Sequence, residues 1–313
     1  MTKQKIGIIG FGKIARDQHA PAIAASPSFE LVGVSNLGSG TAPDGVPGFA
    51  SYAEMLKALP EMEAVAICTP PGPRRLIAAD CLASGRNVLL EKPPAATVAE
   101  VRDIADRAKV AGKAAFATYH AQHNAAVKLA AETLAGKTVQ SLSVTWKEDI
   151  RRWHPGQDWI LAAGGFGIFD PGINALSILT RILPQPIFIK SATLAFPANR
   201  HAPIAAGLVF STGLAVNERL SATLDWRQTG PQIWQIEVQA DDGMKLKLVN
   251  GGSQLEIDGQ LPFAGPADEY SDIYRDFAAL LAAGHSDVNS APFQLVADAF
   301  MLGQRQQVEP FEF

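Results

Sequence analysis

The stretch KIGIIGFGKIA, residues 5–15, decides the predicted fold. Its first part is a continuous apolar run, which is typical of a strand covered on both faces. A G-x-G-x-x-A pattern follows with Gly10, Gly12 and Ala15, between the predicted strand and a predicted helix. In this context Gly10 permits a tight turn, Gly12 lets a pyrophosphate approach the backbone, and Ala15 allows close helix–strand packing. The stretch predicts a dinucleotide site, because the phosphate charge would meet free N–H groups at the helix N-terminus.

Strands and helices alternate through the first third of the chain. Apolar strands are predicted at EAVAIC and NVLLEKP, and helices follow them. This alternation predicts a parallel, doubly wound sheet with right-handed crossovers, an α/β Rossmann dinucleotide-binding domain over residues 1–121. From residue 122 long alternating strands predominate, which predicts an α+β domain over residues 122–313 with a large, mostly antiparallel sheet. The last predicted helix, residues 291–307, is a candidate for packing back on the first domain.

The choice between NAD and NADP stays open on the sequence. An NAD domain usually carries an acidic residue about 20 residues after the glycine-rich turn, on the ribose 2′-hydroxyl. Here the neutral Ser35 and Asn36 stand instead, so no carboxylate repels a 2′-phosphate and no arginine clearly binds one. We therefore expect NAD or NADP as the cofactor, with both accepted. The candidate cofactor contacts are Gly10, Gly12, Lys13, Ile14, Ser35, Asn36, Thr69, Pro70, Glu91 and Lys92.

Composition excludes several classes of function. The net charge of −4 offers no basic field for a nucleic acid. No apolar run approaches the roughly 20 residues that span a bilayer, and the short apolar run near the N-terminus does not fit a signal peptide. The two cysteines, Cys68 and Cys81, lie in apolar surroundings and indicate reduced core residues in a cytoplasmic protein. No metal site is predicted.

The lysine of EKPPAAT, Lys92, comes just after a predicted parallel strand. Ligands bind outside the carboxyl ends of such strands. A lysine beside a nicotinamide can donate a hydrogen bond to the reacting oxygen and stabilise its negative charge. The alternative is a surface lysine paired with Glu91, and position alone leaves the two interpretations open.

The stretch GGFGIFDPGINALS places Asp170 and Asn174 four residues apart at the start of a predicted helix, on one face. Asp170 could instead cap the helix. Together with GKIARDQH, LEKPP and WKEDIRRWHPGQ, this stretch makes the whole chain resemble the Gfo/Idh/MocA oxidoreductases. Within that family the motifs resemble aldose 1-dehydrogenases acting on L-arabinose and D-galactose, and the asparagine argues against inositol-type members. The resemblance makes Lys92 and Asp170 the catalytic pair, with Asp170 the preferred base and a neutral Lys92 the alternative.

The stretch VTWKEDIRRWHPG, residues 144–156, combines two tryptophans with a histidine and several charges. Alternation puts Trp146 and Glu148 on one face, so a row of core residues ends in a carboxylate. Carboxylates, imidazoles and amides pair with sugar hydroxyls, and a tryptophan can cover a C–H face. The resemblance assigns Glu148, His154 and Asn174 to sugar hydroxyls. Trp153 is left open between core, subunit contact and subsite wall.

His120 follows the fifth parallel strand and is expected to line the substrate pocket. The resemblance implies hydride transfer from C1 of a cyclic aldose to the nicotinamide, which gives an aldonolactone. Rival hypotheses are an aldose–aldose oxidoreductase with trapped NADP, an inositol-type dehydrogenase, and a non-catalytic dinucleotide- or sugar-sensing regulator. We also expect a homodimer or homotetramer that associates through the C-terminal sheet, with the strand at residues 214–226 in the contact.

Overall fold

The structure is a computed structural model that describes residues 2–36, 41–213, 219–265 and 268–313. The chain divides into two compact units, Met1–His120 with Asp268–Ser290 and Ala121–Ala267 with Ala291–Phe313. This division differs from the predicted continuous domains 1–121 and 122–313. The segment 268–290 belongs to the first unit, whereas the last helix stays with the second unit.

The first unit is built on a parallel sheet of six strands among the described residues, in the order β3-β2-β1-β4-β5-β6. This order is that of a doubly wound dinucleotide-binding sheet, so the predicted Rossmann fold is confirmed. The strands are β1 (Gln4–Ile9), β2 (Phe29–Ser35), β3 (Gly48–Phe49), β4 (Ala64–Ile67), β5 (Asn87–Leu90) and β6 (Ala115–Ala117). The helices are α1 (Ala20–Ala25), α2 (Tyr52–Ala58), α3 (Pro71–Ala83), α4 (Val98–Ala111) and α8 (Glu269–Ala283).

The first helical segment is not the regular α-helix that its sequence predicts. A π-helical turn, Ala15–His19, precedes α1. A π turn holds one more residue than an α turn and shifts the side chains that follow it. His19 ends this turn with its side chain fully buried, so the irregular turn directs an imidazole into the core of the first unit.

Helix α8 joins the first unit because its apolar face completes that core. Tyr270, Ile273, Tyr274 and Phe277 recur at three- and four-residue spacing and are all buried. The Phe277 ring stacks on Phe29 with a centroid distance of 5.6 Å. Hydrophobic periodicity identifies the helix, but it does not identify the sheet that the helix covers.

The second unit is built on a sheet of nine described strands in the order β14-β13-β12-β11-β7-β10-β9-β8-β15. The strands are β7 (Val139–Lys147), β8 (Phe188–Pro197), β9 (Ala205–Ser211), β10 (Arg219–Asp225), β11 (Ile233–Ala240), β12 (Lys245–Val249), β13 (Gln254–Ile257), β14 (Gln260–Ala264) and β15 (Gly303–Val308). The helices are α5 (Ala125–Leu134), α6 (Ile150–Trp153), α7 (Phe169–Ile182) and α9 (Ala291–Leu302). The pairs β7–β10 and β8–β15 are parallel, and the other described pairs are antiparallel. The predicted mostly antiparallel α+β domain is thus confirmed.

Strand β7 shows the predicted alternation. Val144, Trp146 and Glu148 are 2%, 4% and 5% exposed, whereas Ser143 on the opposite face is exposed. Helices α5, α7 and α9 contact strands of this sheet. The row of core residues therefore ends in a buried carboxylate.

The last helix is shorter than its sequence predicts. The predicted span 291–307 ends at Leu302, and β15 follows at once and pairs in parallel with β8. Gly303 permits this change, because a Cβ there would lie 2.4 Å from the Ala299 carbonyl oxygen and 2.8 Å from Leu194 Cδ1. The predicted strand 214–226 contains β10, and its residues 214–218 lie outside the described part. None of the described helices is both long enough and apolar enough to cross a membrane.

Candidate active site

The glycine-rich turn of the first unit has the geometry that a dinucleotide needs. Gly10 has a φ of +87°, and its N–H donates to the Ser35 carbonyl at 3.0 Å. A Cβ on Gly10 would lie 2.7 Å from the Thr69 nitrogen, whereas a Cβ on Gly12 would meet none of the described atoms within 4 Å. Gly10 is therefore required by close packing, and the open space at Gly12 leaves the backbone accessible to a phosphate.

Two buried hydroxyls lie at the carboxyl ends of the neighbouring strands. Ser35 is 0% and Thr69 is 6% exposed. Neither hydroxyl oxygen has a hydrogen-bond partner within the described residues. Burying an unpaired hydroxyl costs free energy. The residues present therefore fit a dinucleotide, whose ribose and phosphate oxygens would supply the missing partners.

Four further predicted cofactor contacts near this turn have exposed side chains, whereas Glu91 is buried and Lys92 is half-buried. Lys13 forms an ion pair with Asp17 one helical turn on. Ile14 is 38% exposed, Pro70 is exposed, and Asn36 is exposed at a φ of +56°. All three are open to a ligand at this edge of the sheet.

The Glu91 carboxylate is turned into the first unit and holds the turn that carries Lys92. One carboxylate oxygen accepts from the Lys92 backbone N–H at 2.9 Å. The other oxygen lies 3.0 Å from His19 Nε2 and accepts from the Tyr270 hydroxyl at 2.7 Å. His19 Nδ1 lies in turn 2.8 Å from the Tyr274 hydroxyl. Lys92 is half-buried and is followed by a cis bond to Pro93.

The His19–Glu91 contact is a buried ion pair. Burial alone would raise the pKa of Glu91, but the hydrogen bond and charge of His19 and the Tyr270 hydroxyl lower that pKa to about 2. Burial likewise opposes the charged form of His19, yet Cys68, Tyr274 and Glu91 raise the pKa of His19 well above its usual value. Sequence reasoning missed this network, because its tyrosines come from α8, about 180 residues after Glu91.

His120 lies in the same unit and pairs with the first residue of α8. Its Nδ1 is 2.6 Å from Glu269 Oε2, and its ring stacks on Tyr270 at a centroid distance of 5.9 Å. Burial lowers the pKa of His120, but Glu269 outweighs this effect and the net shift is upward. The imidazole keeps 20% exposure, so it can meet a ligand from a fixed position.

Glu148 directly follows strand β7 of the second unit and lies between two indoles. Trp226 Nε1 donates to one carboxylate oxygen at 3.0 Å and Trp234 Nε1 donates to the other at 2.7 Å. Burial raises the pKa of Glu148, although the two indole hydrogen bonds oppose that shift. Sequence reasoning found the carboxylate but missed its donors, which stand on strand β11 and just after strand β10.

His154 and Asp170 are brought together in the second unit. His154 Nε2 lies 3.2 Å from Asp170 Oδ2, and the His154 ring meets Trp226 edge-on at 5.3 Å. Asp149 caps the short helix α6 before His154 by accepting the Arg151 N–H at 2.9 Å. The carboxylate of Asp170, in the first turn of α7, therefore contacts an imidazole as well as occupying a helix start.

Asn174 and Trp153 complete this group. Asn174 follows Asp170 by one helical turn, and its side-chain oxygen is buried without a partner among the described residues. Trp153 is 39% exposed, so the core alternative is wrong. Its indole donates to Gln232 Oε1 at 2.6 Å and its ring lies 5.8 Å from Trp234. The unit gathers two carboxylates, an imidazole, an unpaired amide oxygen and an exposed indole, which is a set suited to a polyhydroxylated ligand.

Known proteins resemble this chain in both sequence and structure. The profile of the GFO_IDH_MocA oxidoreductase family, with an NAD-binding Rossmann fold, matches residues 4–119. A galactose 1-dehydrogenase from Pseudomonas fluorescens is 41% identical over 99% of both chains. The crystal structure of a D-galactose-1-dehydrogenase from Rhizobium etli has a TM-score of 0.93 at 47% identity and covers 100% of this chain and 99% of that one.

A 3-ketoreductase from Actinomadura kijaniata has a TM-score of 0.81 at 16% identity and covers 98% of this chain and 100% of its own. At that identity the likeness concerns the fold alone. The relative that is 41% identical along nearly the whole chain decides the family. The family profile on the first unit and the two-unit architecture agree with this assignment. The chain therefore belongs to the Gfo/Idh/MocA family of oxidoreductases with an NAD-binding Rossmann fold.

Proposed function

We propose that the protein is an NAD(P)-dependent aldose 1-dehydrogenase that oxidises C1 of D-galactose and L-arabinose pyranoses to the aldonolactone. The observation that carries this proposal is the carboxylate of Asp170 held 3.2 Å from His154, one turn before the unpaired amide oxygen of Asn174. A carboxylate can take a proton from one sugar hydroxyl while the imidazole and the amide oxygen bind the adjacent hydroxyls. The relative that is 41% identical is a galactose 1-dehydrogenase, which supports the same substrate class.

The proposed chemistry removes a proton from the C1 hydroxyl and a hydride from C1, and the C1–O bond becomes a carbonyl. Asp170 accepts the proton, because a carboxylate is ionised at neutral pH. His154 holds the Asp170 carboxylate in place. Lys92 donates a hydrogen bond to the C1 oxygen and stabilises its developing negative charge. When bound, a nicotinamide dinucleotide supplies the acceptor for the hydride.

The sugar contacts in this proposal are Glu148, His154, Asn174, His120 and Trp153. Each oxygen of Glu148 already accepts one indole N–H, but a carboxylate oxygen has a second lone pair for a sugar hydroxyl. The Asn174 oxygen accepts from another hydroxyl. The exposed indole of Trp153 covers an apolar C–H face of the ring, and His120 is a further proposed sugar contact.

We expect both NAD and NADP to be accepted. The buried, unpaired Ser35 hydroxyl and the exposed Asn36 are neutral, so neither repels a 2′-phosphate and either can donate to a ribose hydroxyl. Residues 37–40 lie outside the described part, and no contact is proposed for them.

The substrate range follows from the shared ring. L-Arabinose and D-galactose pyranoses have the same ring stereochemistry and differ by an exocyclic CH₂OH. A single small group changes specificity by only about 1–3 kcal/mol. We therefore expect D-fucose to be oxidised as well.

The test is the absorbance of the reduced dinucleotide with L-arabinose, D-galactose, D-xylose, D-glucose and myo-inositol, each with NAD and with NADP. The proposal predicts rapid reduction with the first two sugars and little with the others. Rapid reduction of the dinucleotide with myo-inositol would favour the rival hypothesis of an inositol-type dehydrogenase. A folded protein that binds the dinucleotide and reduces it with none of these compounds would contradict the proposal.

We also propose that two or more copies associate through the open face of the second unit's sheet. The two free cysteines favour a reducing compartment, and we propose the cytoplasm. Phe188 and Val209 are 56% and 42% exposed on neighbouring strands. Light scattering should give a dimer or tetramer, and Val209→Lys should shift the mass towards the monomer. Leu76→Lys, at an exposed residue of α3, is the control. A monomeric wild type would contradict this part.

A further inference from the structure

The guanidinium of Arg74 lies in the interior of the first unit, where it donates to the backbone carbonyls of Thr69, Glu91 and Pro93. Arg74 stands in the first turns of α3 and is 2% exposed. One terminal nitrogen donates to the Thr69 carbonyl, and the other donates to the carbonyls of Glu91 and Pro93. A buried side chain thus joins two separate turns at the carboxyl ends of β4 and β5.

The two turns are those that the proposed function uses. Thr69 belongs to the turn after β4, the cofactor turn, and its buried hydroxyl fits the dinucleotide. Glu91 and Pro93 flank Lys92 on both sides. Strand pairing between β4 and β5 ends at Ile67 and Leu90. The carbonyls of residues 91–93, the lysine turn, therefore lie beyond the regular sheet and need other hydrogen-bond donors.

The backbone of the lysine turn is held from both sides. The Glu91 N–H donates to the Ile67 carbonyl at 3.2 Å, and the Lys92 N–H donates to the Glu91 carboxylate at 2.9 Å. Arg74 donates to the carbonyl of Glu91, the residue before Lys92, and to the carbonyl of Pro93, the residue after it. Only a planar guanidinium offers several N–H donors in one fixed fork; a lysine ammonium is a single point charge.

We propose that Arg74 is a positioning residue, which fixes the backbone on both sides of Lys92 and ties that turn to the cofactor turn at Thr69. This inference rests on the proposed function, in which Lys92 contacts the reacting oxygen. Arg74 acts through Lys92, so its loss misplaces the ammonium. A misplacement of about 1 Å in a reacting group can cost on the order of 100-fold in rate.

Arg74→Lys tests the proposal, and Arg75→Lys is its matched control. Arg75 is the next residue of the same helix, but its partners are the side chains of Asp103 and Glu100 and it is 30% exposed. We expect Arg74→Lys to lower kcat by about 10- to 100-fold with the sugar KM nearly unchanged, because the lost interaction acts in the transition state. Arg75→Lys should leave kcat within about twofold, because the paired charge remains on the surface.

A double-mutant cycle distinguishes positioning from a general structural effect. In a Lys92→Ala background, Arg74→Lys should lower the remaining rate by no more than about twofold, because residues that act as a unit are not additive. An equal loss of kcat in both backgrounds would overturn the proposal.

Hydrogen–deuterium exchange gives a readout that needs no sugar oxidation. The Lys92 amide should exchange faster in Arg74→Lys and in the second variant, Arg74→Gln, but not in Arg75→Lys. Unchanged protection of this amide in a folded Arg74 variant would also overturn the proposal. If the wild type oxidises no sugar, the proposed function fails while the exchange experiment still decides what Arg74 holds.

Discussion

Replacing Glu91 with glutamine tests whether the buried charge network holds the first unit together. The change keeps the size of the side chain but removes its charge and one acceptor oxygen. Three donors now share the carboxylate: His19 at 3.0 Å, the Tyr270 hydroxyl at 2.7 Å and the Lys92 N–H at 2.9 Å. In Glu91→Gln the amide NH₂ must face at least one of these donors, and the buried imidazolium loses its counter-charge.

The magnitude follows from the burial of the pair. The side chains of His19 and Glu91 are 0% and 5% exposed. Removing one partner of such a buried pair costs about 3–5 kcal/mol. In a unit of about 140 residues each kcal/mol lowers the melting temperature by roughly 3 °C. Glu91→Gln should therefore melt about 10–15 °C below the wild type at pH 7.

Circular dichroism melts of the wild type, Glu91→Gln and Asp103→Asn provide the assay. Asp103 pairs with Arg75 and Arg107 at 2.9 and 2.8 Å, but its side chain is 36% exposed. Such a surface pair contributes about 0–1 kcal/mol, so the control should melt within roughly 3 °C of the wild type. A Glu91→Gln protein that melts as high as the control would refute the argument that the buried charge stabilises the unit.

Three further predictions concern other parts of the molecule. Trp226→Phe removes the 3.0 Å donor of the buried Glu148 carboxylate and should lower the free energy of unfolding by about 1–3 kcal/mol in urea titrations; an unchanged midpoint would contradict this. Because the folded pKa of His19 is raised, the stability from its charge is complete below about pH 6.5 and declines by up to about 1.4 kcal/mol per pH unit until the folded pKa is reached. Thermal melts from pH 6 to 9 should show this loss of stability in the wild type. A loss of equal slope in His19→Gln would show that another titrating group causes it, and would contradict the prediction. Gly303→Ala places a Cβ 2.4 Å from a carbonyl oxygen and 2.8 Å from Leu194, so it should cost about 1–3 kcal/mol in the same urea assay, and wild-type stability would contradict the close approach.

The sequence was sufficient for the parts of the fold that local pattern controls. The glycine-rich turn and the alternation of strands and helices predict the parallel sheet. The period-two pattern of β7 predicts which face buries Trp146 and Glu148. These signals are local, because burial of a strand face or a tight turn is encoded within about ten residues.

Features that depend on distant partners were not predicted. The apolar face of α8 reveals a helix, but not that Tyr270 and Tyr274 complete the first unit after an excursion of more than 140 residues through the second. The indole donors of Glu148 stand on or beside other strands, so no spacing in the chain relates them to it. The change from α9 to β15 at Gly303 depends on contact with Leu194 on β8.

The candidate site divides in the same way. Asp170 and Asn174 are four residues apart on one helix, and that relation is visible in the sequence. The 3.2 Å approach of His154 to Asp170 depends on the short helix α6, whose cap at Asp149 fixes the loop. The three carbonyls that Arg74 holds were not predicted, since an arginine in an apolar helix gives no sign of what it contacts.

The measurement that tests the central claim most directly uses D-galactose deuterated at C1 and, separately, at C3. The account predicts that deuterium from C1 appears in the reduced dinucleotide, that turnover of this substrate slows, and that the product is the galactonolactone. Deuterium from C3 in the reduced dinucleotide, or label retained at C1 in the oxidised sugar, would contradict the account.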